Sequence, residues 1–287
     1  MKEYIECLHQ DQHMQGFTSD KDHKYMFWSF TNSIVKTSIE GTMICQARVS
    51  GGHFGGMDWH DGKIYISYMG YPEPWTFFGD WSSFKVYVYD DSDLRLIKII
   101  DIEECIDMKN NEDGFQGIDG IAFGKVPGET EEKLLVAVAL NTGEKYSNQM
   151  FLQVDEDGRI EKTYKVPAGN KVFGIQNLDF EADTGCFWFT TYNAGEPYME
   201  PHTLYCVDPD MHTVRARYRI LTPYGFEALG NGEYYLSLEG GVNGNRHGIA
   251  YKVTADELKA LDGNLDALTI NENVRAALGI TYPMKIR

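Results

Sequence analysis

The chain has 287 residues, 43% of them hydrophobic and 13% aromatic, which is enough apolar material for a folded core. The formal net charge is −17. So acidic a chain lacks the basic surface that nucleic-acid binding requires and is repelled by an anionic membrane, so we expect neither a nucleic acid nor a membrane as a partner. The N-terminal stretch MKEYIECLHQDQHMQGF contains no apolar core of a signal peptide, and no segment approaches the ~18 apolar residues that span a bilayer. Five scattered cysteines without CxxC spacing indicate reduced thiols. We therefore expect a cytoplasmic protein.

Short apolar segments rich in aromatic and β-branched residues follow one another along the whole chain, separated by turn signals such as Asp61-Gly62 and Asp157-Gly158. In chain order they are KYMFWSF, SIVKTSI, KIYISYM, FKVYVYD, RLIKIIDI, KLLVAVAL, QMFLQVD, CFWFTTY, TLYCVD, VRARYRIL, EYYLSLE and GIAYKV. These patterns predict an all-β protein.

A repeated motif precedes groups of these strands. Five stretches align without gaps: HMQGF (13–17), HFGGM (53–57), GIDGI (117–121), GIQNL (174–178) and GFEAL (225–229). A motif that recurs about five times along the chain, each time before a set of strands, is typical of a propeller. We predict a single domain over residues 1–287 that forms a five-bladed β-propeller, with a six-bladed ring as the alternative.

The two ends of the chain complete this interpretation. The last blade has three clear strands, so we expect the N-terminal strand KEYIECL to supply the fourth and close the ring. Thr254 and Glu257 form a capping-box pattern for a helix that ends near Gly263, and Asn271 can cap a second helix that ends near Gly279. A helical appendage is therefore predicted over residues 254–279.

Polar residues occupy the first and third positions of the repeat. Because side chains alternate along a strand, these positions should share one orientation and converge on the propeller axis. The residues concerned are His13, Gln15, His53, Asp119, Gln176 and Glu227, with Asn177 nearby. We predict that they meet in one axial cavity, with His13, His53, Asp119 and Glu227 as catalytic residues and Gln15, Gln176 and Asn177 as substrate ligands.

Three interpretations of this polar ring remain open. The oxygen donors could hold calcium, or His13 and His53 with Asp119 or Glu227 could hold a transition metal. Alternatively, a histidine and a carboxylic acid could act as base and acid without a metal. The third possibility is a channel whose polar walls are only solvated. We therefore expect at most one divalent metal ion as a cofactor.

An aromatic insertion, GYPEPWTFFGDWSS (70–83), interrupts the second blade. Its rings at Tyr71, Trp75 and Trp81 are typical of a recognition site for a sugar or another flat ligand. We expect these residues to bind substrate at the mouth that contains His53. The alternative is a satellite hydrophobic cluster or a dimer contact.

The first blade, HMQGFTSDKDHKYMFWSFTNSIVKTSIEGTMI, resembles the opening blade of plant-type glutaminyl cyclases, and the acidic inner strands are similar to those of the lactonase and paraoxonase propellers. The first resemblance implies an acyltransferase of the cyclase type, and the second implies an axial calcium. Two departures stand against them: Gly55-Gly56 replaces the Glu-Gly pair of the cyclases, and no sixth inner strand is found.

Three functions follow. The first is a hydrolase or lyase that binds a small polar substrate, with carbohydrate favoured, in an axial funnel with or without a metal. The alternatives are a non-catalytic propeller that binds a ligand or a protein, and a glutaminyl-cyclase-like acyltransferase.

Overall fold

The computed structural model describes residues 4–71, 81, 83–102, 115–140, 148–169, 174–191, 203–220, 222, 224–242 and 244–263. The β-strands of these residues are β1 (Tyr4–Gln10), β2 (Met14–Ser19), β3 (Tyr25–Phe30), β4 (Ser33–Ser38), β5 (Met43–Arg48), β6 (Gly52–His60), β7 (Lys63–Gly70), β8 (Phe84–Asp90), β9 (Leu96–Asp101), β10 (Phe115–Gly124), β11 (Lys133–Leu140), β12 (Gln149–Val154), β13 (Ile160–Val166), β14 (Ile175–Glu181), β15 (Cys186–Thr191), β16 (Leu204–Val207), β17 (Val214–Tyr218), β18 (Phe226–Gly230), β19 (Glu233–Val242) and β20 (Asn245–Thr254). One helix, α1 (Ala255–Leu261), follows β20 directly.

The strands form five four-stranded antiparallel sheets, which are the blades of a propeller. Blades 1 to 4 are the sheets β2–β3–β4–β5, β6–β7–β8–β9, β10–β11–β12–β13 and β14–β15–β16–β17, and blade 5 is β18–β19–β20–β1. The inner strands β2, β6, β10, β14 and β18 lie side by side around the axis. The predicted five-bladed fold is confirmed, and the six-bladed alternative is not observed.

The N-terminal strand β1 is the outer strand of blade 5. It pairs antiparallel with β20, with Tyr4 opposite Tyr251 and Cys7 opposite Gly248. The side chains of Ile5 and Cys7 are buried in the apolar cluster between blades 5 and 1. The first and last strands of the described residues, β1 and β20, therefore share one sheet.

The core consists of apolar clusters between neighbouring blades, because both faces of each blade are covered and buried side chains alternate between the two faces. Phe84 and Val86 of blade 2, for example, pack against Ile118 and Val136 of blade 3. Comparable clusters fill the other four interfaces. Stacking of blades thus explains why the strands are predominantly apolar on both faces.

The helix α1 begins at the predicted capping box. Thr254 Oγ1 accepts from the backbone N–H of Glu257, whose side chain accepts from the N–H of Thr254, and this satisfies the first turn. The second predicted helix, with Asn271 as its cap, lies outside the described residues. No helix in the described ranges is long and apolar enough to cross a membrane.

Candidate functional site at the propeller axis

The inner strands can be aligned through the residues that they face on the second strand of each blade. One residue in or directly before each inner strand lies at a common height along the axis, and we call this height a level: Gly16, Gly56, Gly120, Asn177 and Gly225. Their partners on the second strands are, in the same order, Ser29, Ser67, Ala137, Thr190 and Ser237. Blade 5 therefore joins the ring through Gly225 rather than through Ala228. The sequence alignment of the motif GFEAL places Ala228 at this level, so the fifth motif is displaced by three residues in the structure.

This common level closes the axis. A Cβ atom added to Gly56 would lie 2.8 Å from Cα of Gly120 and 2.9 Å from the carbonyl oxygen of Gln176, and one added to Gly16 would lie 3.2 Å from Cα of Gly56. The axial polar residues therefore fall on two sides of the closed level. We call the side where the inner strands begin the proximal mouth, and the side where they end the distal mouth.

Three of the predicted ring residues lie in β-bulges at the closed level. Gln15, Asp119 and Gln176 each stand where two inner-strand residues oppose one on the second strand. Asp119 Oδ1 accepts from the N–H of Gly56 at 2.9 Å and its carboxyl also bonds the Gln176 side chain, while burial raises the pKa of Asp119 well above its usual range. Gln15 Nε2 donates to Thr31 Oγ1 at 3.3 Å. All three side chains are buried, and Asp119 links blade 3 to blades 2 and 4, whereas the bond of Gln15 lies within blade 1.

Asn177 and Glu227 also bridge neighbouring blades. Asn177 Oδ1 accepts from the N–H of Phe226 at 3.2 Å, whereas its Nδ2 is buried without a partner. Glu227 Oε1 accepts from the N–H and the hydroxyl of Ser19, at 2.9 Å and 2.5 Å. Because Glu227 lies two residues past the closed level, it faces the distal mouth, away from His13 and His53.

At the distal mouth, acceptor side chains satisfy the backbone of the next blade. The bonds are Thr18 Oγ1 from Trp59 N (3.3 Å), Asp58 Oδ2 from Phe123 N (2.6 Å), Asp179 Oδ2 from Ala228 N (2.7 Å) and Glu227 Oε1 from Ser19 N (2.9 Å). An inner strand is an edge strand, so its outward N–H groups need such partners. We call Asp58, Asp179 and Glu227 the acid tier.

Burial dominates the electrostatics of the acid tier. It raises the pKa of Asp58 well above its usual range, and the nearby charges of Asp179 and Glu227 raise it further. Burial likewise raises the pKa of Asp179 to about 7 and that of Glu227 to about 8. At pH 7 Glu227 is therefore largely protonated and Asp179 about half protonated, which limits the repulsion within the acid tier.

The proximal mouth contains a histidine that is held by a buried glutamate. His13 Nδ1 lies 2.8 Å from both carboxylate oxygens of Glu239, a residue of β19 that is 3% exposed. The same carboxylate accepts from the N–H of Met14 at 2.6 Å and from Arg246 Nη1 at 3.1 Å. The Tyr224 ring meets the imidazole edge-on at 4.9 Å. His13 is thus fixed in place while about a third (34%) of its side chain stays exposed.

The second histidine of this mouth lies in a contrasting environment. His53 Nδ1 is buried without a hydrogen-bond partner, and burial, together with the charge of His13, lowers the pKa of His53 to about 4. Trp81 meets the His53 ring edge-on at 5.7 Å and stacks on Tyr71 at 5.9 Å. Trp81 also packs against the apolar cluster between blades 2 and 3, so it has a structural contact besides its exposed part. The third predicted aromatic ligand, Trp75, lies outside the described residues.

The predicted axial metal does not fit these residues. Its four predicted ligands are separated, because His13 and His53 lie at the proximal mouth, Glu227 lies at the distal mouth and Asp119 is held by Gly56 and Gln176. Across the described part of the chain, no group of three or more His, Cys, Asp or Glu side chains is arranged to hold a metal ion.

Sequence reasoning missed Glu239, Arg246, Tyr224, Asp58 and Asp179. The signal for Glu239 was a lone acid at the end of the apolar segment EYYLSLE, directly before Gly240-Gly241. A carboxylate that ends an otherwise buried strand needs a partner, and here that partner comes from another blade. Asp58 and Asp179 stand at the same place in their inner strands, one position past the five-residue motif.

No protein-family model matches the chain. No curated protein matches it either. Similar solved structures include a protein of unknown function from Bacteroides caccae (9% identity, 85% of this chain and 78% of that one, TM-score 0.48), the glutaminyl cyclase of Myxococcus xanthus (10%, 88% and 99%, 0.49) and the calcium-binding protein regucalcin from Agrobacterium tumefaciens (12%, 84% and 76%, 0.43). The last two are propellers of the groups that the sequence resembles, and the likeness concerns the fold alone.

Proposed function

We propose that this protein is an enzyme, a hydrolase or lyase, that uses His13 as an acid–base catalyst on a small polar substrate at the proximal mouth. The observation that carries the proposal is the bond between His13 Nδ1 and the buried carboxylate of Glu239. A buried carboxylate behind an exposed imidazole is the arrangement that general-base histidines use in many enzymes.

Glu239 fixes the tautomer of His13. Because the carboxylate only accepts, Nδ1 carries a proton and Nε2 becomes the basic nitrogen. When Nε2 takes a proton from substrate or water, the imidazolium that forms is stabilised by the negative charge of Glu239. Arg246 and the N–H of Met14 also bond to this carboxylate and fix its orientation.

His53 has a different part in the proposal. With its pKa near 4, its imidazole stays neutral at physiological pH, so it offers a hydrogen bond without a charge. The stacked rings of Tyr71 and Trp81 beside it provide a flat surface on which a sugar ring could lie. Carbohydrate therefore remains the favoured substrate class.

The test is turnover of a panel of esters, lactones, glycosides and sugar acids by the parent and by His13→Asn and Glu239→Gln. We expect His13→Asn to lower kcat/KM at least about 100-fold. The control is His212→Asn, which changes an exposed histidine and should leave turnover unchanged. Equal turnover in the parent and His13→Asn would overturn the proposal. Ligand binding at the mouth without any turnover would instead favour the non-catalytic binding function.

A further inference from the structure

Five side chains lie in a row across the proximal mouth, from blade 5 through blade 1 to blade 2. Arg246 lies 3.1 Å from Glu239, and Glu239 lies 2.8 Å from His13. On the far side of His13, His53 meets Trp81 at a ring distance of 5.7 Å. The row thus has a cationic end and an aromatic end.

Charge is unevenly distributed along this row. At the blade 5 end, one buried carboxylate stands between the guanidinium of Arg246 and the imidazole of His13, so the group carries a positive surplus whenever His13 is protonated. The Arg246 side chain is 22% exposed, so this cation is not fully enclosed by the protein. An anion could therefore be held there despite the net charge of −17 on the whole chain.

The acidic side chains of the described inner strands do not oppose an anion at this mouth. The carboxyl of Asp119 is bonded to Gly56 and Gln176 at the closed level, and the acid tier lies beyond that level, at the distal mouth. Burial also raises the pKa of Asp119, which disfavours its charged form. The nearest carboxylate, that of Glu239, is already compensated by two partners.

The stacked side chains of Tyr71 and Trp81 at the aromatic end favour a ligand that contains a ring. Tyr71 and Trp81 stack at 29° between their planes, and a Cβ atom on Gly117 would come within 3.5 Å of Trp81. Trp81 therefore lies beside Gly117 of β10 as well as beside His53. A ligand that reaches both ends of the row needs a flat or ring-shaped body and an anionic group.

From this row we infer that the proximal mouth binds a ring compound that carries a carboxylate, with the carboxylate on Arg246 and His13 and the ring on Tyr71 and Trp81. The inference rests on the proposed function and narrows its substrate class. Arg246 pairs with carboxylates through parallel N–H bonds, and the aromatic faces exclude water from the ring.

Two matched pairs of probes test this inference: glucuronate against glucose, and benzoate against benzyl alcohol. Within each pair the ring is kept and the carboxylate is exchanged for a neutral alcohol group. Binding is followed by the imidazole resonances of His13 and His53 in NMR titrations of the parent, Arg246→Gln, Arg246→Lys and the control Arg159→Gln, an exposed arginine paired with Asp155.

We expect at least one acid to shift the His13 and His53 resonances and to bind at least about tenfold more tightly than its neutral counterpart. Arg246→Gln should abolish that preference, Arg246→Lys should keep part of it, and Arg159→Gln should change nothing. The Lys variant also guards against misfolding, because it preserves a cation beside Glu239.

Two results would overturn the inference and spare the proposed function. One is equal binding of acid and neutral partner, and the other is no shift from either acid while His13→Asn still abolishes turnover of another substrate class. If no probe shifts these resonances and no substrate of the activity panel is turned over, both the inference and the proposed function fall.

Discussion

Two identical side chains at the proximal mouth are placed in opposite environments. His13 is anchored by the carboxylate of Glu239 and keeps an exposed face, whereas His53 has a buried Nδ1 without a partner. The first arrangement supports proton transfer, and the second keeps an imidazole neutral. The two histidines are therefore suited to different chemical roles at this site.

The first prediction concerns the pKa of His53. An NMR titration of the histidine ring resonances should show His53 gaining its proton only near pH 4, because burial opposes its charged form. In His13→Gln the pKa of His53 should rise, since a neighbouring positive charge is removed, but it should stay below 6.5 because burial remains the larger cause. A titration of His53 near 6.5 in the parent would contradict this environment.

The second prediction concerns the acid tier and the pH dependence of stability. Folding raises the pKa of Glu227 from 4.5 to about 8, so its contribution to stability is full below pH 4.5 and is lost as the pH rises to about 8. Asp179, whose pKa rises from 3.8 to about 7, acts in the same direction. The fall in Tm between about pH 6 and about pH 9 should therefore be smaller in Glu227→Gln than in the parent. Each kcal/mol of unfolding free energy that the parent loses through Glu227 over this range corresponds to roughly 2–4 °C of Tm.

The control for this experiment is Asp22→Asn. Asp22 is exposed, and its hydrogen bond and ion pair with Lys24 lower its pKa, so its removal should leave the loss of Tm at high pH unchanged. An equal fall in Tm for Glu227→Gln and the parent would show that Glu227 is ionised in the folded protein at neutral pH.

At the scale of elements, the inner strands combine strand pairing with a local irregularity. In β2, β6, β10 and β14 a bulge occurs beside the closed level, whereas β18 continues in regular register at its Glu227. A bulge shifts every later side chain by one position relative to simple alternation. Glu227 itself faces the distal mouth because blade 5 joins the ring through Gly225, two residues before it, and not through Ala228.

The third prediction follows from the closed level. Gly56→Ala should destabilise the protein by roughly 3 kcal/mol or more, because the new methyl group would contact backbone atoms of Gly120 and Gln176 that cannot move aside independently. Urea unfolding measures the change. Gly62→Ala is the control, since its Cβ would meet nothing within 4 Å and only its φ of +73° carries a cost. A smaller loss for Gly56→Ala than for Gly62→Ala would contradict close packing at the axis.

At the scale of the whole molecule, the first and last strands of the described chain are neighbours in blade 5. This pairing covers the edge of β20, which would otherwise expose its backbone hydrogen-bonding groups. Stability of the ring should therefore depend on residues that are far from the axis.

The fourth prediction tests this dependence. Deletion of residues 1–8 should lower the Tm of the entire protein, because most of β1 (Tyr4–Gln10) is removed and the apolar cluster between blades 5 and 1 is opened. Since the truncated chain could fail to fold, the point variants Ile5→Asn and Leu8→Asn provide a matched comparison. Ile5 is 4% exposed and Leu8 is 39% exposed, so only the first should lower Tm strongly. Similar Tm values for the two variants would argue against closure through β1.

The fold was predictable from the sequence because the strand patterns and the repeated motif are local signals. Partners such as Glu239 and Arg246 were not predictable, because 226 positions separate His13 from Glu239 and no local pattern links them. The same limit applies to the level of Glu227, because the motif does not show that Gly225 and not Ala228 stands at the closed level. The aromatic Trp75 was singled out by composition, and it lies outside the described residues.

The proposed acid–base function depends most on which ring nitrogen of His13 carries the proton. Nitrogen-15 NMR of the labelled protein at neutral pH measures directly which ring nitrogen carries the proton. The account predicts that His13 has its proton on Nδ1, hydrogen-bonded to Glu239, and that Glu239→Leu removes this preference. If His13 instead shows the same tautomer mixture as the exposed His212, in the parent and in the variant alike, Glu239 does not orient it and the proposed acid–base site is contradicted.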